Sequence, residues 1–283
     1  MITLPPNILI EPLLQEWLRE DIGRGDRATA AIASAHNPTQ KASWTAKQSG
    51  VIAGLPFAEK VFSLLGNIEW EPQINEGSHC EKNQEILRCA APADTLLMGE
   101  RVALNLVMRL SGIATLTRCY ADKIADLPTQ LVDTRKTTPG LRILEKYATQ
   151  VGGAVNHRYG LDDMAMIKEN HILVAGGIKN AIAQVRSNLP YPLMIEVETT
   201  TDSEVKAALE TDVDIIMLDN MSLSLMKEMV NLIRGSAKAV KIEASGNITL
   251  ETIREVAQTG VDYISTSAPI TQATWLDLSM KLL

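Results

Sequence analysis

The chain has 283 residues, of which 46% are hydrophobic and 22% are charged, and its net charge at pH 7 is −7. These values are typical of a globular protein with a substantial core, and they exclude the disordered and fibrous classes. The negative net charge argues against nucleic acid and anionic membranes as partners, so an anionic ligand would need a local cluster of basic residues.

The cysteines and the N-terminal sequence indicate a cytoplasmic protein. Cys80, Cys89 and Cys119 are an odd number without C-x-x-C spacing, which favours a reducing compartment over a disulfide framework or a zinc site. The first 20 residues lack the basic-then-apolar pattern of a signal peptide. No apolar run approaches the roughly 20 residues that a membrane-spanning helix needs.

Residues 1–110 mix helical and strand-like segments without a regular repeat. Glu11–Glu20 has the apolar spacing of an amphipathic helix, and Lys41–Ala53 alternates as strands do. Pro56–Leu65 and Glu100–Leu110 are predicted to be helices. We expect a domain that contains both helices and strands.

From residue 131 onward, short apolar runs recur with starts 33, 29, 22, 25 and 23 residues apart. The runs are Leu131-Val132, Met164–Ile167, Leu193–Val197, Ile215–Leu218, Val240–Ile242 and Tyr263-Ile264. This spacing accommodates a strand, a helix and two loops, which predicts a parallel sheet covered by helices. About six such units indicate an α/β barrel, complete or incomplete, and an open doubly wound sheet is the alternative.

Polar residues follow each of these runs. The segments are Asp133–Lys136, Lys168–His171, Glu196–Glu198, Asp219-Asn220, Glu243–Gly246 and Ser265–Ser267. In a parallel barrel these strand ends open on one face, where active sites are built. Bases come first, acids next and small hydroxyl residues last, an order that points to a binding site at this face.

Two pairs of basic residues are candidates for binding a small dianion. Arg135 and Lys136 follow the first run, and His157 and Arg158 follow the Gly152-Gly153 turn. Guanidinium groups bind carboxylates through two hydrogen bonds, and lysine and protonated histidine are more compact donors. The alternative interpretation is a solvated basic loop.

Lys168 ends an apolar run and should therefore point into the mouth of the barrel. A lysine there can act as a Schiff-base nucleophile or as a positive anchor for phosphate or carboxylate. It can also be an ordinary surface lysine.

Glu198 and Asp219 end two successive strands, so they should lie close together. Two hard oxygen ligands, with substrate completing the coordination shell, suit Mg²⁺ bound to a diphosphate. The alternative is a pair of structural acids that neutralise nearby cations.

Small residues end the last two strands, at Ser245-Gly246 and Ser265–Ser267. They expose backbone N–H groups, and the final loops of barrels are frequent phosphate sites. His36 and His79 lie outside this arrangement, and we expect surface or structural positions for both.

The segment Asp133–His171 closely resembles the signature region of the quinolinate phosphoribosyltransferases. Further matches are Glu20–Asp26, Glu100–Thr115, Glu196–Glu198, Leu218–Asn220 and Glu243–Thr249. Together these segments cover most of the chain in the order of the family.

The resemblance implies a fold and an assembly. Residues 1–110 would form an N-terminal α/β sandwich domain, joined by the C-terminal tail 271–283, and residues 111–270 an incomplete parallel α/β barrel. The protein would be a homodimer that converts quinolinate and phosphoribosyl pyrophosphate into nicotinate mononucleotide, CO2 and pyrophosphate, with Mg²⁺ as cofactor.

The resemblance also implies roles for individual residues. Those implied to bind quinolinate and the ribosyl donor are Arg135, Lys136, His157, Arg158 and Lys168, with Arg101 donated to the partner's site. Glu198 and Asp219 would lie near the ribose and bind Mg²⁺, and together with Lys136 and Lys168 they are the implied catalytic residues. Ser245-Gly246 would hold the 5′-phosphate. Ser265, Thr266 and Ser267 stand where many members have a glycine-containing loop, so the phosphate donors of that loop stay open.

Three other functions fit parts of the pattern. A related phosphoribosyltransferase acting on another acid, such as the homologue of molybdenum-transport gene clusters, would share the barrel and the phosphate site. An aldolase would use Lys168 as a Schiff base. A catalytically silent anion-binding protein would bind the same ligands without turnover.

Overall fold

The computed structural model describes residues 3–33 and 37–283, so His36 lies outside the described residues. The helices are α1 (Asn7–Ile22), α2 (Arg27–Ala33), α3 (Leu55–Ser63), α4 (Ala93–Asp122), α5 (Arg142–Gly152), α6 (Glu169–Ala175), α7 (Ile178–Asn188), α8 (Asp202–Leu209), α9 (Leu223–Arg234), α10 (Ile253–Ala257) and α11 (Ala268–Thr271). The strands are β1 (Thr39–Ala46), β2 (Gly50–Val51), β3 (Glu69–Pro72), β4 (His79–Cys80), β5 (Glu85–Pro92), β6 (Gln130–Val132), β7 (Ala165–Ile167), β8 (Ile195–Thr199), β9 (Ile215–Asp219), β10 (Lys241–Ser245), β11 (Tyr263–Ser265) and β12 (Leu278–Leu282).

The described residues divide into two compact units. The first comprises the residues up to Arg118 together with Ile143–Gly153 and Gln272–Leu283, and the second comprises Cys119–Arg142 and Ala154–Thr271. The sequence-based boundary lay between residues 110 and 111. In the structure α4 continues to Asp122, and most of α5 belongs to the first unit.

The first unit contains an antiparallel sheet of four strands in the order β12-β1-β5-β3. The C-terminal strand β12 pairs along β1, from Ala42 opposite Leu282 to Ala46 opposite Leu278. Alternate residues of β1 are buried, and Trp44 packs edge-on against Phe62 of α3, with ring centroids 6.3 Å apart. Strands and helices thus bury a shared apolar layer, as an α/β sandwich does.

The second unit contains a parallel sheet of six strands in the order β6-β11-β10-β9-β8-β7. The first strand, β6, pairs with the last, β11, as barrel closure requires, and among the described strands β6 and β7 do not pair with each other. In an open doubly wound sheet the first strand would lie inside the sheet, with the strand order reversing beside it. The architecture is therefore an incomplete α/β barrel, and the doubly wound alternative is wrong.

The register of this sheet separates two faces. Glu196 lies opposite Ile215, Glu198 opposite Met217, and Ser245 opposite Asp219. Because paired residues of parallel strands point to the same side, every second residue of β8, β9 and β10 shares one face. The residues between them are apolar and buried, including Val197, Ile216, Leu218, Ile242 and Ala244. The helix-packing face is thus apolar, and the opposite face carries the acids.

Two further sequence expectations concern the cysteines and membrane helices. Cys80, Cys89 and Cys119 are all free thiols, the first two buried and the third exposed. In residues 3–33 and 37–283, no helix combines the length and the apolar character needed to cross a membrane.

A glycine-to-alanine change at residue 112 tests the packing of the first unit. A Cβ at Gly112 would lie 1.9 Å from the carbonyl oxygen of Thr274, which is backbone and cannot rotate away. Alanine normally stabilises a helix interior by up to roughly 1 kcal/mol relative to glycine. Here we expect Gly112→Ala to lower the free energy of unfolding by roughly 1–3 kcal/mol, as overpacking does.

The measurement is urea unfolding. The matched control is Cys119→Ala, an exposed position of the same helix, which should change stability by no more than about 0.5 kcal/mol. Equal stability of Gly112→Ala and the unaltered protein would contradict the close approach of residues 112 and 274.

Candidate active site

The first strand of the barrel ends in two adjacent cations. Arg135 is half-buried and Lys136 is exposed. Hydrogen bonds close the turn that carries them, since the Lys136 N–H donates to Thr134 Oγ1 (3.0 Å) and the Thr137 N–H donates to the Arg135 carbonyl (3.0 Å). The cations therefore project from an ordered turn.

Asp133 connects this turn to the second basic segment. Its buried carboxylate accepts hydrogen bonds from Asn156 Nδ2 (2.7 Å) and from the backbone N–H of His157 (2.9 Å). A parallel bridge between Val132 and Val155 aligns the two segments. The predicted grouping of the two basic pairs is thus built by a residue that the sequence analysis gave no role.

Arg158 is nearly buried, with 9% of its surface exposed. Its Nη1 donates to the carbonyl of Met164 (3.1 Å). Burial lowers the pKa of Arg158 and the charge of Arg135 lowers it further, while Glu196 and Asp163 act in the opposite direction. Two guanidinium groups that repel each other at a poorly solvated site are stabilised by a bound anion.

Lys168 directly follows β7 and precedes α6. Its Nζ forms an ion pair with Glu198, the residue that the sheet register places beside it. Its backbone N–H donates to Nδ1 of His171 (3.0 Å), so His171 orders the turn. The structure thus brings together Lys168 and Glu198, two of the predicted site residues.

A buried cluster of His157, Glu196 and Glu243 lies in the same unit. His157 Nε2 is 3.2 Å from Glu196 Oε2 and 3.4 Å from Glu243 Oε2. The two acids are 0% and 3% exposed. Within the part of the chain that the structure describes, both oxygens of Glu196 and Oε1 of Glu243 have no hydrogen-bond partner of good geometry, so Glu196 meets the ring through a charged contact.

His157 and Glu196 share an added proton. Burial disfavours the charged form of His157, but the hydrogen bonds and charges of Glu196 and Glu243 outweigh it and raise the pKa of His157 to about 9. Burial also raises the pKa of Glu196. Both shifts describe the same added proton. The Arg158 N–H donates to Nδ1 of His157 (2.7 Å), so the shared proton lies on the Nε2 side of the ring, which faces Glu196.

Asp219 is held by a small amide network. Asn220 Nδ2 donates to Asp219 Oδ2 (2.8 Å), and Asn220 Oδ1 accepts from Asn247 Nδ2 (2.9 Å). The Asn220 N–H donates to the carbonyl of Ser245 (2.9 Å). A Cβ at Gly246, where φ is +93°, would lie 2.3 Å from Asn220 Oδ1. Glycine is required there because backbone and amide approach so closely.

The last barrel loop places Ser265, Thr266 and Ser267 at the same sheet edge, the first two buried and the third half-buried. The Thr266 hydroxyl donates to the Ile248 carbonyl (3.4 Å) and accepts from the Ala268 N–H (3.2 Å). The Thr266 side chain therefore orders the loop from within.

Comparison with known families decides the relationship. Residues 113–281 match the family described as quinolinate phosphoribosyl transferase, C-terminal domain, and residues 26–111 match the N-terminal domain of the same family. The chain belongs to the quinolinate phosphoribosyltransferase family.

Individual relatives agree with this assignment over nearly the whole chain. The "Probable nicotinate-nucleotide pyrophosphorylase (carboxylating)" of Synechocystis is 55% identical over 283 residues, which are 100% of this chain and 95% of the relative. "Quinolinate phosphoribosyltransferase (decarboxylating) 1b" of Nicotiana tabacum is 38% identical, covering 98% of this chain and 83% of the relative. The crystal structure of NadC from Streptococcus pyogenes is 39% identical, with a TM-score of 0.93 and coverage of 99% of both chains.

Glu198 and Asp219 fit a magnesium site of a quinolinate phosphoribosyltransferase. Both are half-buried carboxylates on the same face of neighbouring strands. Mg²⁺ usually takes one or two carboxylates from the protein together with substrate phosphates and water. Among the described residues, the tighter cluster is His157, Glu196 and Glu243, whose ligand atoms lie within 4.8 Å of one another. There the His157 ring contacts both carboxylates directly, at 3.2 and 3.4 Å.

Arg101 lies in the first unit, on α4, and its side chain is 59% exposed. Its Nη2 is 4.0 Å from Glu100 Oε1, a weak exposed contact that leaves the guanidinium accessible to solvent. A role for Arg101 in a quinolinate phosphoribosyltransferase site stays a prediction.

The sequence analysis placed Glu196 and Glu243 in the polar segments at the strand ends but gave neither residue a role. Glu196 precedes Glu198 by two positions, and Glu243 precedes Ser245 by two. In a strand, residues two apart share a face. This two-residue spacing was the signal that places each acid on the same face as a predicted site residue.

We predict that the shared proton is lost near pH 9. Because the pKa of His157 is raised from 6.5 to about 9, the folded protein binds this proton where the unfolded chain has released it. The resulting stabilisation is fully present below about pH 6.5 and is lost as the pH rises through about 9. Carbon NMR of the histidine rings should show a midpoint near 9 for the signal that disappears in His157→Gln. A midpoint at or below 6.5 would contradict the cluster.

Proposed function

We propose that this chain transfers the phosphoribosyl group of phosphoribosyl pyrophosphate to quinolinate and releases pyrophosphate and CO2. The product is nicotinate mononucleotide, a precursor in NAD biosynthesis. The observation that carries the proposal is the cluster of cations at the carboxyl ends of the barrel strands, in a member of this family. Arg135, Arg158 and Lys168 are its central residues.

The cation cluster suits a dianion. Arg135, Lys136, Arg158 and Lys168 supply more positive charge than one carboxylate needs, and His157 lies directly beside Arg158. A ligand with a single carboxylate would leave a nearly buried guanidinium without an anionic partner in the complex. Because an unpaired buried charge destabilises the complex, such a ligand binds poorly. Quinolinate carries two carboxylates on adjacent ring carbons, and nicotinate carries one.

The first bond change joins the pyridine nitrogen to C1 of the ribose while pyrophosphate leaves with the bonding electrons. Glu198 and Asp219 stabilise the positive charge that develops on the ribose, and Lys136 and Lys168 stabilise the departing anion. The carboxylate beside the ring nitrogen then leaves as CO2. The electron pair of the broken bond stays on that ring carbon, where the adjacent positively charged nitrogen stabilises it, and the carbon then takes up a proton.

Phosphate groups of the donor bind to the later strands. Ser245 and Gly246 hold the 5′-phosphate in this proposal, and the loop of Ser265, Thr266 and Ser267 contributes further donors. Glu198 and Asp219 would hold Mg²⁺, which when bound neutralises charge on the diphosphate.

We further propose a homodimer in the cytoplasm. Helix α6 is exposed in the single chain, where Leu173 is 78% and Val174 is 89% exposed, and apolar side chains of this size favour a covered surface. Arg101 is exposed as well, so it can act in the site of a partner subunit. Family membership favours this transferase over the Schiff-base aldolase, while the transferase that uses another acid is separated from it by the following assay.

Purified protein with Mg²⁺ and phosphoribosyl pyrophosphate should release one CO2 for each quinolinate consumed. Nicotinate should react at least about 100-fold less efficiently, because a site built to pair two carboxylates rejects the analogue that lacks one. Radiolabelled CO2 and chromatography of the nucleotide product measure both reactions. Tight quinolinate binding without turnover would indicate the anion-binding alternative, and equal use of nicotinate would contradict the dianion site.

Mixing two inactive variants tests the shared site. Arg101→Ala and Lys168→Ala should each form a folded dimer with little activity. In a heterodimer of the two, one site receives Lys168 from the first subunit and Arg101 from the second, because a two-fold axis exchanges the contributions. The mixture should therefore regain activity after subunit exchange.

Arg19→Ala is the control, since Arg19 is an exposed arginine paired with Glu16 on α1 and has no place in the proposed site. It should keep full activity. If exchange is verified by native mass spectrometry and the mixture stays inactive, Arg101 does not act across the dimer.

A further inference from the structure

Two buried carboxylates hold one edge of the His157 ring. Glu196 of β8 and Glu243 of β10 both approach Nε2, at 3.2 and 3.4 Å. β8 pairs with β9 and β9 pairs with β10 without a register shift, so both acids lie on the polar face of the sheet. The ring therefore has one orientation in which Nε2 meets both oxygens.

This arrangement is poor for stability alone. Glu196 and Glu243 are almost fully buried, and among the described residues both oxygens of Glu196 and Oε1 of Glu243 lack hydrogen-bond donors. Buried acceptors without donors cost free energy, and an apolar pair of similar volume would remove that cost. Acids kept under these conditions point to a role in the adjacent site.

The opposite edge of the ring contacts Arg158. The Arg158 backbone N–H donates to Nδ1 of His157, with 2.7 Å between the nitrogens. The Arg158 guanidinium is nearly buried and interacts electrostatically with Arg135 and with Glu196. The ring thus links two carboxylates on the sheet to the backbone of a cation in the binding cluster.

We propose that Glu196 and Glu243 are positioning residues of the anion site. They fix the imidazole of His157 through Nε2, and His157 fixes the backbone of Arg158 through Nδ1. The inference rests on the proposed function in one respect, namely that Arg158 binds a carboxylate of quinolinate. Neither acid contacts the substrate in this arrangement.

A double-mutant cycle tests the path. Glu243→Gln keeps the size of the side chain and removes its charge, and His157→Ala removes the ring. Each single variant should raise the KM for quinolinate at least about tenfold, the lower range for partners that orient a functional histidine. The KM for phosphoribosyl pyrophosphate should change by less than about threefold, since non-contacting sites are nearly independent.

The proposal also requires that the effect of Glu243→Gln depends on the presence of the His157 ring. In the His157→Ala background, adding Glu243→Gln should raise the KM for quinolinate by less than about twofold, because the acid acts through a ring that is no longer present. Effects that multiply fully would show that Glu243 acts by another route and would overturn the proposal. If Glu243→Gln does not fold, Glu196→Gln replaces it in the same cycle.

The control is Asp262→Asn. Asp262 is a half-buried acid that precedes β11 and accepts from Arg234 (2.7 Å) and from the Ile242 N–H (2.8 Å). It lies at the opposite end of the same sheet, so its loss should lower the unfolding temperature without changing the KM for quinolinate. If Asp262→Asn raised the KM for quinolinate as much as Glu243→Gln does, the effect of Glu243→Gln would be explained by general destabilisation of the fold, and the positioning role would be wrong.

Hydrogen exchange at the Arg158 amide gives a readout that needs no substrate. Exchange should quicken at least about tenfold in Glu243→Gln and in His157→Ala, and not in Asp262→Asn, because local opening follows the loss of the bond to Nδ1. If quinolinate is not a substrate of the unaltered protein, the proposed function fails, and this measurement still decides the positioning role. Unchanged exchange in Glu243→Gln, or a stoichiometric metal ion bound to His157, Glu196 and Glu243 in elemental analysis, would overturn the proposal.

Discussion

Parallel pairing without a register slip between β8, β9 and β10 sets which residues of the barrel can meet. Residues opposite one another share a side, so the acids of β8, the acid that ends β9, and the acid and serine of β10 all face one way. The alternate residues are buried aliphatic side chains on the helix-packing side. A shift of one strand by one residue would bury its acids under the helices and expose its aliphatic residues. The hydrophobic packing that stabilises the fold therefore also orders the site.

Acidic and basic residues follow one another from the sheet toward the predicted substrate site. Glu196 and Glu243 both contact the ring of His157. Arg158 lies next along the chain, close enough for its charge to act on Glu196. Arg135 adds positive charge close to Arg158, and neither Glu196 nor Glu243 contacts Arg135 to offset it. An anionic substrate completes the balance, which is why a protein with a negative net charge can bind a dianion here.

Much of the barrel was predictable from the sequence, because strands and helices that repeat at a near-constant spacing leave a regular apolar pattern. All six predicted runs overlap parallel strands. The pairing of the first strand with the last was not predictable, since periodicity carries no information on closure. The position of Ile143–Gly153 in the first unit was also missed, because tertiary contacts rather than local pattern decide it.

At the site, the basic residues and the exposed acids could be recognised as motifs in the sequence. The contacts of Glu196 and Glu243 with His157 were not predictable, because they join three separate segments of the chain. The need for glycine at residue 246 comes from the side-chain amide of Asn220, 26 positions earlier.

The central claim is that nearly buried Arg158 pairs with a carboxylate of the substrate at the carboxyl ends of the barrel strands. Isothermal titration calorimetry of quinolinate with the unaltered protein and with Arg158→Ala tests it directly. The account predicts a loss of about 2–5 kcal/mol in the free energy of quinolinate binding, the usual cost of removing one partner of a buried charged pair. It also predicts that the affinity for phosphoribosyl pyrophosphate changes little. Equal quinolinate affinity in the two proteins would contradict the account.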